Sequence, residues 1–181
     1  MATSKTSSFY LTDRVELTAA GTKFSSTVSV GSYVDVGDRQ ALAIEQVDFS
    51  VMKRDTTTGS LSYNITGGVS ADATVGFQLS DLNPGTAYVG EDDVNLIAAG
   101  CVMYDDGNNV TSIGPALYPD IFGKLDEARM VVNDNLYMVA NANTTYVANQ
   151  DLIVYVRIKC RIVTLSNSDF MALAIQSTAQ N

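Results

Sequence analysis

The sequence predicts an all-β fold, an antiparallel sandwich or barrel. Three features carry this expectation. Apolar and polar residues alternate with period two in many stretches, turn signals separate those stretches, and no strand–helix–strand rhythm of a parallel sheet appears. At 181 residues and 46% hydrophobic content the chain has the size of one domain. A chain of that size buries about 70% of the surface its unfolded form exposes. No repeat of solenoid length and no low-complexity linker divides it.

In chain order, residues 1–8 (MATSKTSS) read as a polar N-terminal arm, residues 9–165 as the domain, and residues 166–181 as a C-terminal segment. FYLTDRVEL places Phe9, Leu11, Val15 and Leu17 on one face, with Asp13 as the exception. KFSSTVSVGSYVDV does the same with Phe24, Val28, Val30, Val34 and Val36. In ALAIEQVDFSVMKR the apolar positions are even at Leu42 and Ile44, then odd at Val47, Phe49 and Val51. One inserted residue flips the faces of a strand, so the phase change at Glu45-Gln46 predicts a β-bulge; passage between two environments is the alternative. LSYNIT, TVGFQL, NLYMVA and a short TTYVA read as further strands.

Two stretches predict short helices between residues 80 and 130. EDDVNLIAAG carries acids in its first turn and Gly100 at its end; PDIFGKLDEARM starts on Pro119-Asp120 and spaces Ile121, Phe122 and Leu125 helically. SNSDFMALAIQS sets Ser166 three residues before Asp169, a start that fits a short helix, while a final strand fits its apolar pattern as well.

The longest alternation is DLIVYVRIKCRIVTL. Its even positions from Leu152 to Ile162 are apolar, and its odd ones include Arg157, Lys159 and Arg161, three of eleven basic residues in a chain of net charge −9. A strand over 152–165 would extend roughly 45 Å, far beyond the usual five or six residues. So long a strand left at a sheet edge invites uncontrolled pairing. The basic row has two readings. It pairs with acids on its own sheet face, or it complements acidic patches on a neighbouring copy and so forms an intersubunit contact.

Composition excludes several functions. Sixteen of the twenty acids are Asp, so the surface repels phosphate backbones and suits salty surroundings. There is no histidine, which removes the commonest general base, the usual partner of a serine or cysteine nucleophile, and the commonest transition-metal ligand. Cys101 and Cys160 alone cannot build a structural zinc site; Cys160 falls on the apolar strand face and reads as a buried free thiol. Spacing alone leaves a disulfide between the two open. The acid clusters Glu91-Asp92-Asp93, Asp105-Asp106 and Asp126-Glu127 read as turns or helix starts, and YDDGNNVTS as a turn without the ligand spacing of a calcium loop. Sequons at Asn64, Asn109 and Asn143 read as chance. No segment is long and apolar enough to span a membrane, and the first residues lack the apolar core of a cleavable signal, so the chain reads as soluble and made inside a cell.

NLYMVANANTTYVANQDLIVYVRIKCRIVTL, residues 135–165, reads as the last strand pair of a barrel. In length, acidity and strand pattern the chain resembles the single jelly-roll capsid proteins over roughly residues 9–165. In particular it resembles the small major capsid protein of icosahedral, internal-membrane viruses of archaea and bacteria, sphaerolipovirus-like. That resemblance implies an eight-stranded antiparallel jelly roll with short helices in an 80–130 insertion. It implies a non-enzymatic protein, without cofactor or metal, that self-assembles into capsomers of an icosahedral shell. The implied partners are other copies of itself, a second and larger capsid protein, and an internal viral membrane, with no direct nucleic-acid contact. The implied location is the virion, assembled in the host cytoplasm. Two other classes remain as alternatives: a lectin-like or spike or tail binding module, and a carboxylate-dependent hydrolase.

Overall fold

The computed structural model describes residues 2–114 and 128–178. Eleven strands and one helix follow one another along it. β1 (Thr3–Ser4), β2 (Phe9–Leu17), β3 (Lys23–Ser29), β4 (Gln40–Asp55) and β5 (Leu61–Ser62) come first. β6 (Ala73–Ser80), β7 (Leu96–Asp105), β8 (Val110–Ile113) and β9 (Arg129–Val131) follow. β10 (Asn135–Asn143), β11 (Gln150–Thr164) and α1 (Asn167–Thr178) end the chain.

The strands form two sheets. In one, β2, β11, β4 and β9 lie side by side; in the other the order is β3, β10, β6, β7. Among these eight strands, each successive pair along the chain lies in different sheets except β6 and β7, and all their pairings are antiparallel. Two such interleaved Greek keys make a jelly roll. β1 continues the β2 edge, β5 the β9 edge, and β8 adds an outer strand beside β7. The core fills the space between the sheets: Leu152, Val154, Val156, Ile158 and Cys160 from β11 meet Val75, Phe77 and Leu79 from β6 and Leu136 and Met138 from β10. Phe49 and Phe77 bridge the two layers with ring centroids 4.5 Å apart.

The long strand is not an edge. β11 pairs with β4 from Gln150↔Asp55 to Thr164↔Gln40, and its other side is taken by β2 and then β1. The register slips between Lys159 and Cys160, opposite Gln46 and Ile44, which makes Glu45 the extra residue of a bulge. Leu42 and Ile44 before it, and Val47 and Val51 after it, therefore all face the core. The phase change in the sequence has this cause.

Other expectations need correction. Residues 91–100 are not helical. Asp93 Oδ1 accepts from the backbone N–H of Asn95 at 2.8 Å, Leu96 N–H donates to Asp93 O at 3.0 Å, and the chain enters β7 directly. The short carboxylate closes a turn, and pairing with β6 draws Leu96 and the residues after it into a strand. The helix expected over 119–130 lies largely outside the described residues, as does Asp126-Glu127; its last residues, Arg129 and Met130, belong to β9. The expected strand through Val36 stops at Ser29, where Tyr33 N–H donates to Val30 O in a turn, and Val36 is 72% exposed. LSYNIT is extended only at β5, because Asn64 Oδ1 accepts from Thr66 N–H at 3.0 Å and bends the chain. The C-terminal alternative resolves to a helix. Ser166 Oγ accepts from Asp169 N–H at 3.2 Å, and Phe170 packs beside Ala41, Ala43, Val163 and Leu165 on the outer face of the first sheet.

Asp13 breaks the β2 alternation for a local reason. It sits on the inward face where β2 faces β3, and Ser26 Oγ donates to its carboxylate. The cysteines are both free; Cys160 points into the core from β11, while Cys101 lies beside Gly76, Tyr88 and Glu91 at a surface pocket on the other sheet. Burial pushes the Cys160 thiol up to about 12, with the Glu45 charge adding to the shift. Native protein at pH 8 is therefore expected to take up iodoacetamide at Cys101 only, with Cys160 labelled only after unfolding, as peptide mass mapping will read. Phe77→Ala is expected to lower stability by about 3–5 kcal/mol in urea titrations, because it removes the ring that joins the layers.

Candidate interaction surface

The outer face of β2, β11 and β4 collects the charged residues singled out in the sequence. Register places Arg157 between Thr12 and Asp48, Lys159 between Tyr10 and Gln46, and Tyr155 between Arg14 and Ser50. Arg157, Lys159 and Arg161 share this face, but their surroundings differ.

Lys159 and Arg161 converge on Glu45. The bulge brings the Glu45 carboxylate onto the outer face, where it is 7% exposed. Lys159 Nζ lies 3.6 Å from Oε2, and Arg161 Nε lies 3.0 Å from Oε1 without its N–H being directed at that oxygen. Ser8 Oγ donates to Oε2 at 2.7 Å, which ties the N-terminal residues to the same group. A carboxylate removed from water needs such partners, since leaving it unpaired costs several kcal/mol. Two of the three basic residues therefore serve an acid of their own sheet.

Arg157 is different. It is exposed, and its guanidinium carbon stacks 4.0 Å above the centroid of the Tyr10 ring. Stacking uses the face of the group and leaves the N–H donors at its rim uncommitted. Asp48, its register neighbour, instead accepts from Gln46 Nε2 at 2.8 and 3.0 Å. Arg157 borders a groove of about 330 Å³ lined by Thr12, Asp48, Ser50, Tyr63 and Tyr155. The Tyr63 ring is 75% exposed. Among the described residues, the hydroxyls of Thr12, Ser50, Tyr63 and Tyr155 have no hydrogen-bond partner.

At one end of the face, Arg54 donates to Asp151 from Nε at 3.1 Å and from Nη2 at 2.6 Å. Its Nη1 lies 2.8 Å from Glu16, whose other oxygen is 3.1 Å from Arg14. The Asp151 hydrogen bond, with Glu16 adding to it, holds the Arg54 guanidinium above its ordinary value. At the other end, α1 covers the sheet. Near that end Arg129 reaches Asp81 at 3.2 Å and donates to Val94 O. Burial raises the Asp81 carboxyl above its usual range, against the opposing pull of Arg129.

A second exposed feature lies on the other sheet. The β7–β8 turn presents Asp105 to Asn109, all exposed. Asp105 accepts from Asn108 through Nδ2 at 2.7 Å and through its N–H at 3.0 Å, and these bonds hold its carboxyl below the usual range. Asp106 N–H donates to Asp72 at 2.9 Å, and Asn109 occupies the left-handed region at φ 55°. The tip is thus both acidic and internally fixed. Among the described residues, no three His, Cys, Asp or Glu side chains gather as a metal-binding group.

The sequence pointed to Arg157 but not to the groove. Tyr63 reads as an ordinary strand residue, and the other lining residues belong to strands far apart in the chain. The polar positions of β2, β4 and β11 were visible one strand at a time; only register brings them together.

No protein-family model and no curated protein matches the chain. Among solved structures it is similar to VP1 of Trichodysplasia spinulosa-associated polyomavirus in complex with 3'-sialyllactose. The TM-score is 0.48 and the identity 10%, over 91% of this chain and 97% of that one. The Desmodium yellow mottle tymovirus structure gives a TM-score of 0.32 at 9% identity, over 90% and 91% of the two chains. VP1 of Merkel cell polyomavirus in complex with GD1a oligosaccharide gives 0.30 at 10% identity, over 85% of this chain and 77% of that one. The jelly-roll assignment stands on the strand order described above.

The face separates folding from availability. Arg161→Ser is expected to cost about 1–3 kcal/mol in urea unfolding, because Glu45 keeps its burial and loses a cation. Arg157→Ser is expected to stay within about 0.5 kcal/mol of the parent. Adding Glu45→Gln to Arg161→Ser is expected to restore part of the loss.

Proposed function

We propose that the chain is a structural capsid protein that assembles with copies of itself into capsomers of an icosahedral shell. The observation that carries this reading is the jelly-roll order of the two sheets. That fold is shared by shell-forming proteins, lectins and cupins, so the step from fold to function is one of analogy. Two features favour a shell over the other hosts. The central pair β4 and β11 is continuous over the full height of the sheet, with β2 and β1 along β11 and short strands at the two ends of β4, as a wall element requires. The outer face of one sheet also exposes Arg14 and Arg157 beside Asp48, while the β7–β8 tip of the other exposes Asp105 and Asp106, so opposite charges are available to a neighbouring copy.

The reading puts the intersubunit contact on the face that carries Arg157, Lys159 and Arg161, and it treats the chain as non-enzymatic. It locates the chain in a virion assembled in the host cytoplasm. The resemblance to internal-membrane viruses adds a second, larger capsid protein and a lipid layer beneath the shell. A net charge of −9 fits a shell protein that makes no direct contact with the phosphate backbone of a genome.

A lectin-like or spike module is the second reading, and one observation favours it: a groove with an exposed tyrosine ring and several unpartnered hydroxyls on the sheet face. Sizing by light scattering across protein and salt concentration separates the two. The shell reading expects species many times the 19.3 kDa of one chain, with a mass that depends on salt. A monomer under every condition, with binding on a glycan array, would leave the module reading in place.

A further inference from the structure

We infer that the groove beside Arg157 is the receptor for the acidic β7–β8 tip of a second copy of this chain. The inference rests on the assembly reading and names the partner of that surface. Four observations lead to it.

The first is the state of Arg157. Lys159 and Arg161 are held by Glu45, whereas Arg157 makes no ion pair among the described residues and is held by stacking on Tyr10, which leaves its rim donors uncommitted. Asp48 lies opposite Arg157 in register, but its carboxylate accepts from Gln46 Nε2, which leaves the guanidinium donors for an acid from outside. A guanidinium fixed by stacking loses less conformational freedom when it takes up a carboxylate.

The second is the groove, whose lining adds the hydroxyls of Thr12, Ser50, Tyr63 and Tyr155 around the cation, together with Asp48, whose two oxygens accept from Gln46 Nε2. The hydroxyls donate hydrogen bonds readily, which suits an occupant rich in acceptors. The third is the tip. It offers the carboxylates of Asp105 and Asp106, is exposed over five residues, and is fixed by its Asn108 and Asp72 hydrogen bonds. Arg157 supplies the charge opposite to the two carboxylates, and both partners are held in place by contacts of their own.

The fourth is placement. The groove lies on the outer face of the β2–β11–β4 sheet, and the tip ends the β7–β8 hairpin of the opposite sheet. One chain cannot place its tip in its own groove, so the contact joins two copies through different surfaces. Contacts of that kind build rings when the rotation closes, and a ring is what a capsomer is.

The test compares association of the full-length chain with that of three variants by sedimentation velocity, with thermal melts to confirm folding. Arg157→Gln and Arg157→Asp are expected to weaken association about tenfold or more. Combining Arg157→Asp with Asp106→Arg in one chain is expected to restore it, and higher salt is expected to weaken the parent and the restored variant alike. Arg157 variants that associate like the parent overturn the contact while leaving the shell reading intact. A double variant no better than Arg157→Asp alone also overturns it. A parent that stays monomeric throughout removes both. Millimolar monosaccharides that shift the Tyr63 ring resonances, together with unchanged association of Arg157→Gln, would assign the groove to carbohydrate and overturn the inference.

Discussion

The fold depends on one antiparallel ladder, the pairing of β4 with β11 over nearly their whole lengths. Each strand is two to three times the usual length, so their pairing fixes two long edges that the rest of the sheet must cover. β1 and β2 sit end to end along the free side of β11; on the other side of β4, β9 pairs Leu42 to Ile44 and β5 pairs Lys53 and Arg54. The bulge at Glu45 shifts the register of this ladder by one residue. Without that extra residue either Leu42 and Ile44 or Val47 and Val51 would face outward. Core packing at both ends therefore requires the bulge.

The bulge also sets the electrostatics. It turns a carboxylate onto the outer face beside two cations, and the cost of burying that charge is offset by Lys159, Arg161 and Ser8. Asp151 and Asp81 follow the same pattern, each nearly buried and each met by an arginine. In an acidic chain the cations are few, and most of those on this face answer internal carboxylates. Arg157 stands apart because its strand position places it opposite Thr12 and Asp48, and Asp48 is held by Gln46.

Much of the architecture was legible in the sequence, because alternation is a direct consequence of the pleat. Val154, Val156 and Ile158 on β11, Val75, Phe77 and Leu79 on β6, and the phase slip in β4 could be read without knowing what lay opposite. The misreadings share a cause. Residues 91–100 carry acids ahead of an apolar run, which suits a helix start, but Asp93 closes a turn and the neighbouring β6 supplies hydrogen bonds that an isolated segment does not have. Asn64 ends an apparently good strand by bonding its own backbone two residues on. Local preference favoured one outcome and the tertiary neighbour or a side-chain turn decided another. The groove was illegible for a related reason: Thr12, Ser50, Tyr63 and Tyr155 become neighbours only when three strands and a loop are brought into register.

Association between copies of an acidic protein has to overcome like-charge repulsion, and distance decides how much that matters. At physiological ionic strength charges more than about 8 Å apart are largely screened, so the net charge of −9 acts weakly on an approaching copy. Once surfaces touch, screening fails and individual pairs dominate. A single arginine that faces a carboxylate then does more to select one orientation than the total charge does to oppose contact. Apolar and hydroxyl neighbours such as Tyr10, Tyr63 and Tyr155 add area without adding sign. A surface built in this way tolerates an acidic chain overall and still discriminates between the many ways two jelly rolls can meet. It does so because Arg157, a cation without an ion pair among the described residues, lies on the opposite sheet from the acidic β7–β8 tip.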